Sequence, residues 1–114
     1  MDCVVRDEFN TDIAVNQDIT TKEKVAEIVQ IYVQHVKSLC PHQIMHVHVD
    51  GGITIPFEQM FQVYLGVKHV HTTFKIVDEV NVYLVDSITV RCFRALLNLI
   101  SPTVRVKVII VGAR

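Results

Sequence analysis

The chain has 114 residues, half of them apolar and a fifth charged, with a formal net charge of -1. That length suits one compact α/β-sized domain with a core of its own, and the composition excludes a disordered chain. The near-zero charge gives no overall field to attract a polyanion, so no nucleic-acid partner is expected.

Apolar runs break long before the roughly 20 residues that cross a bilayer, and "MDCVVRDEF" lacks the basic-then-apolar order of a secretion signal. An intracellular, cytoplasmic protein with no transmembrane segment is expected. Cys3, Cys40 and Cys92 are odd in number and widely spaced, which fits reduced thiols better than a disulfide framework or a zinc ribbon.

In chain order, "CVVRDEF" and "IAVNQ" read as a hairpin turning at Asn10, Thr11 and Asp12. Thr20 and Glu23 stand in capping-box spacing, and Val25, Ile28, Val29, Tyr32, Val36 and Leu39 follow at helical intervals, predicting a helix from Lys22 to Leu39 that Cys40-Pro41 ends. A strand is expected over Ile44–Val49, closing at Gly51-Gly52. Pro56 then opens a helix with Phe57, Met60, Phe61, Tyr64 and Leu65 on one stripe, ending near Val67.

"VNVYLV", Val80 to Val85, is nearly all apolar, as in a strand covered on both faces or lying mid-sheet, and Asp86 or Ser87 caps a third helix, Ile88 to Ile100. Phe93, Leu96, Leu97 and Ile100 form its apolar face, widened by Cys92, Ala95 and Leu99; Arg91, Arg94 and Asn98 are its polar stripe. Ser101-Pro102 stops it. "TVRVKVIIV" sets Val104, Val106, Val108 and Ile110 against Arg105, Lys107, Ile109 and Val111, amphipathic first and then buried. Alternating strands and helices with short connections imply an α/β fold: a mixed, mainly parallel sheet of four or five strands, an antiparallel edge, and about three helices mostly on one face, all in one domain spanning 1–114.

Ligand crevices in such sheets lie beyond the carboxyl ends of the strands, here Asp50-Gly51-Gly52, Asp86-Ser87 and Gly112. Asp50 and Asp86 suit a general base or a cation ligand there, and equally a turn former and a helix cap. His46 and His48 share a strand face, and His69 and His71 repeat the spacing; such pairs bind zinc or nickel only where further ligands converge. The plainer placement is a partly solvated sheet face for the first pair and a polar loop after the second helix for the other. No nucleophile elbow, phosphate loop or dinucleotide fingerprint is present, so no catalytic residue is assigned. Arg91, Arg94, Arg105 and Lys107 form a basic cluster suited to a phosphate-bearing headgroup or an acidic partner.

"NVYLVDSITVRCFRALLNLISPTVRVKVIIVG" resembles the closing segment of the CRAL-TRIO lipid-transfer family, and "MHVHVDGGITI" looks like the strand and Asp-x-Gly turn before it. The resemblance implies an apolar gate helix over a lipid cavity, with Phe93, Leu96, Leu97 and Ile100 at the gate positions and Pro102, Thr103, Lys107 and Gly112 as landmarks after it. The element order with its opening hairpin also resembles the STAS family; where that family carries a phosphorylated Ser, this chain reads "GITIPFE" with Thr54 its one hydroxyl.

A non-enzymatic binding module is therefore expected, acting through protein contacts as a homo-oligomer or with another protein, with no cofactor and with a lipid, such as a phospholipid, as the ligand the pattern admits. A STAS-like regulatory interaction domain is the alternative. A metal-assisted hydrolase using the histidine pairs and Asp50 ranks below both. Apolar "HVHV" and "VYLV" are expected to leave a greasy patch on the sheet face that the helices do not cover.

Overall fold

The computed structural model describes residues 1–100 and 105–113, the last two by backbone alone. Its elements are β1 (Asp2–Val5), β2 (Asn10–Val15), α1 (Lys22–Val36), β3 (Gln43–Val49), α2 (Phe57–Phe74), β4 (Val77–Asp86), α3 (Ile88–Leu99) and β5 (Arg105–Ala113). The five strands form one mixed sheet in the order β1-β2-β3-β4-β5. Only β1 runs antiparallel to its neighbour; β2, β3, β4 and β5 are parallel in turn. This is the α/β architecture expected from the alternation of apolar periods. The helix stop at Ser101-Pro102, Thr103 and Val104 lie outside the described residues.

Register decides which side chains meet the helices. Ile13, Val47, Val82 and Val108 stand abreast across four strands, as do Thr11, Met45, Val80 and Val106 one step down. Successive strand residues point to opposite faces, so these two rows share one face. Ile13, Met45 and Val80 are buried there against Ile28, Tyr32 and Val36 of α1 and Val70 of α2, while Phe93 and Leu97 of α3 pack on Tyr64, Val106 and Val108. All three helices thus cover the same face. Gly66 of α2 sits where a Cβ would come within 2.7 Å of a Val29 methyl, so the absence of a side chain sets how closely α1 and α2 approach.

Several boundaries differ from the sequence reading. Asn10, Thr11 and Asp12 belong to β2, and the turn precedes them: Asp7 accepts from the Phe9 amide at 2.9 Å and from the Asn10 side chain. The cap of α1 is Thr21, whose hydroxyl accepts from the Lys24 amide at 3.1 Å, and not Thr20. Helix α2 runs seven residues past Val67, because Val70 and His71 bury against α1, and it ends at Lys75 in the left-handed conformation (φ 53°). Ile109 and Ile110 of β5 are only half-buried and Val111 is exposed, where burial was expected, since β5 is an edge strand. Among the described residues no helix is long and apolar enough to cross a membrane.

Candidate functional site

The helix face of the sheet is so uniformly branched and apolar that the layer above it does not fill completely. A cavity of about 120 Å³ lies between sheet and helices, and the described residues that line it present only apolar surface. Its floor is Ile13, Val15, Val47, Val49, Val80, Val82, Leu84 and Val106; Ile28 and Tyr32 of α1 and Met60, Val63, Tyr64 and Val67 of α2 form the roof, and Phe93 closes it from α3. A lining of aliphatic and aromatic groups offers water no hydrogen-bond partner, and an apolar cavity on the order of 150 Å³ holds a benzene-sized guest. The Tyr64 ring meets Phe93 edge-on at 6.2 Å, and its buried hydroxyl has no partner among the described residues. Burial also pushes that hydroxyl's pKa up.

The four gate-helix positions divide. Phe93 lines the cavity, Leu97 is buried beside it, and Leu96 and Ile100 are half-buried. Cys92, Ala95 and Leu99, expected to widen that face, instead point outward. Ile88 and Leu99 are 81% and 84% exposed, the most open large apolar side chains among the described residues.

The strand-end crevice is structurally occupied. Asp50 accepts from the Gly52 amide at 2.8 Å, holding the Gly51-Gly52 turn. Asp86 takes both Nε and Nη2 of Arg91 at 2.8 and 2.7 Å, which holds its carboxyl below the usual carboxylate range. Ser87 caps α3, accepting from the Val90 amide at 3.1 Å. A carboxylate engaged in this way is a poor proton acceptor.

The basic residues do not gather. Arg91 is tied to Asp86 and Arg94 is exposed on the helix layer, whereas Lys107 pairs with Glu79 at 3.2 Å on the opposite side of the sheet, where Arg105 also points by strand alternation. The sheet itself separates the two pairs.

The histidine pairs separate as well. His46 and His48 do share the helix-free face. His46 bonds Asn10 Oδ1 at 3.0 Å and Tyr83 Oη at 3.3 Å; His48 lies flat on the Tyr83 ring at 4.8 Å and meets Asp12 Oδ1 at 3.1 Å. Arg6 clamps the same Asp12 carboxylate, and these two partners pull its pKa down to about 2. His46 is pushed below its ordinary value by burial and then by the nearby Arg6 charge. The central part of this face is consequently polar and carries no greasy patch, because alternation sends Val47, Val80 and Val82 to the helices and leaves His46, His48, Asn81 and Tyr83 outside.

His69 and His71 belong to the last turns of α2, where a two-residue step turns roughly 200° about the axis and sends them apart. His71 is buried, its Nε2 2.5 Å from Tyr32 Oη, and burial lowers its pKa to about 4. Among the described residues no three His, Cys, Asp or Glu side chains come together as metal ligands.

Compared with known proteins, the chain matches no family model, no curated protein and no solved structure. Neither the CRAL-TRIO nor the STAS resemblance is therefore identified by a match. Sequence reasoning did not single out as a site the residues of the cavity roof, nor Arg6, Asp12 and Tyr83 as the partners of His48. The pattern marked Met60 and Tyr64 as core and gave no sign that the core around them is incomplete.

Proposed function

We propose that this chain is a non-enzymatic binding module that takes the hydrocarbon part of a small amphiphile between its sheet and its helices, and that meets another protein through the outer flank of α3. The carrying observation is the cavity: about 120 Å³, lined among the described residues by apolar side chains. Such a site gains affinity by removing apolar surface from water, at roughly 25 cal/mol per Å². Its volume suits one short alkyl segment or ring, on the scale of a benzene-sized guest, and not the paired chains of a phospholipid. Phe93, at a gate-helix position of the CRAL-TRIO resemblance, supports the reading because it closes the cavity from α3.

Native mass spectrometry of the gently purified protein tests the reading. A bound small amphiphile is expected, absent from a Val82→Phe variant whose new ring fills the void. Bare protein throughout, with no uptake from added medium-chain fatty acids or alcohols, contradicts it.

A further inference from the structure

The cavity is bounded on most sides by contacts that do not part easily. Its floor is a hydrogen-bonded sheet, Gly66 packs directly on Val29 between α1 and α2, and Tyr64 packs on Phe93 between α2 and α3. Towards the amino-terminal ends of the strands, Val36, Met45, Val70 and Val77 are at most 3% exposed. The carboxyl-terminal ends differ. There Val15 and Val49, abreast in β2 and β3, line the cavity together with Ile19 from the segment before α1 and Ile55 from the loop before α2. Two hydrogen bonds tie that segment to that loop: the Ile19 amide donates to the Thr54 carbonyl at 3.0 Å, and the Thr54 amide donates to the Asp18 carboxylate at 2.7 Å. Asp18, Gly52 and Thr54 are exposed, and Ile53 and Ile55 are only half-buried. The amides of Gly52 and Ile53 bond Asp50, inside the loop's own stem.

We propose that residues 51–55 are a lid on the cavity, hinged at Gly51-Gly52 and latched by the Asp18 carboxylate on the Thr54 amide, and that guest molecules enter and leave when this latch opens. The inference rests on the hydrocarbon-site reading and adds its entry route. Segments held by few buried contacts and by solvent-exposed backbone bonds are the ones that open locally. A bond from an amide to a carboxylate is stronger than one between neutral groups, and at an exposed position water takes over both partners once they separate. Opening therefore leaves no buried polar group unpaired. The latch closes over an empty and a filled cavity alike, so it governs the rates of entry and exit and leaves the affinity unchanged.

Fluorine NMR exchange spectroscopy of the full chain with fluorobenzene reads both rates and the dissociation constant. Asp18→Ala, at an exposed position, is expected to raise entry and exit rates together by about ten-fold, the effect of one charge-assisted hydrogen bond, with the dissociation constant and circular dichroism spectrum unchanged. Asp18→Asn keeps an acceptor oxygen, and a smaller rise is expected. Gly52→Ala acts in the opposite sense. Its Cβ meets nothing closer than Asp50 Oδ1 at 3.4 Å, so the closed lid accepts it, while the open loop loses conformations and both rates fall about two- to five-fold. With no guest present, the Thr54 amide is expected to lose hydrogen-exchange protection in Asp18→Ala. Wild-type rates in Asp18→Ala overturn the lid, because guests then pass elsewhere, such as beside the half-buried Met1. A change in exit rate alone also overturns it, by making Asp18 part of the closed site instead of its latch. A bound resonance missing from every one of these proteins would overturn the hydrocarbon site itself, and the lid with it.

Discussion

Replacing Gly66 by alanine probes how the helix layer sits on the sheet. The new Cβ would lie 2.7 Å from Val29 Cγ2 and 3.2 Å from Cγ1. Val29 is β-branched within a helix, where one χ1 rotamer dominates, so its methyl groups have little room to swing aside. Relief must come from separating α1 and α2. Overpacking of this kind costs about 1 to 3 kcal/mol, while alanine in place of a mid-helix glycine returns about 1 kcal/mol. A net loss of about 1 kcal/mol is expected, read as a lower urea midpoint with an unchanged slope. The sign reverses in a Val29→Ala background: the clash is gone, and Gly66→Ala then stabilises by about 1 kcal/mol. Equal effects of Gly66→Ala in the two backgrounds would refute the close approach of these helices.

Acid sensitivity follows from His71. Its folded pKa of about 4 lies below the unfolded value near 6.5, so the unfolded chain binds the proton first and stability falls as pH drops from 6.5 to about 4, levelling off below. At about 1.4 kcal/mol per unit the loss is about 3 kcal/mol; His71→Phe should flatten most of this slope in pH-dependent urea unfolding, leaving the smaller contributions of His35 and His46, which burial shifts in the same direction. Ser87→Ala removes the cap of α3 and should lower stability by about 1 kcal/mol in thermal melts, with no change in cavity occupancy once folded.

Where local chemistry and tertiary demand coincide, the sequence reading and the structure agree. The nearly continuous apolar run Val80–Val85 placed β4 mid-sheet, and Phe93 and Leu97 at helical spacing turned α3 onto the core. The disagreements arise where tertiary contacts override local signals. Lys68, His69, Thr72 and Thr73 interrupt the apolar stripe of α2, yet the helix continues because Val70 and His71 have α1 to bury against. Asn10 and Asp12 are turn formers by habit, but parallel pairing to Ile44 and His46 holds them extended in β2. The His46–His48 face was legible from strand alternation alone; its partners Asp12 and Tyr83 depend on register, which no single strand specifies. Likewise, the cavity results from how side-chain volumes fit together between the sheet and the three helices, and Gly66 gains its role only once Val29 is opposite it.

Cavity occupancy is read most directly by methyl-resolved NMR during titration with alcohols and fatty acids of increasing chain length. Saturable shifts confined to Ile13, Val47, Val82, Leu84 and the neighbouring Met60 are expected, with affinity that stops rising once the alkyl segment outgrows the void. Shifts that never saturate, or that spread instead over surface methyls such as Leu99 and Val111, would contradict a hydrocarbon site between sheet and helices.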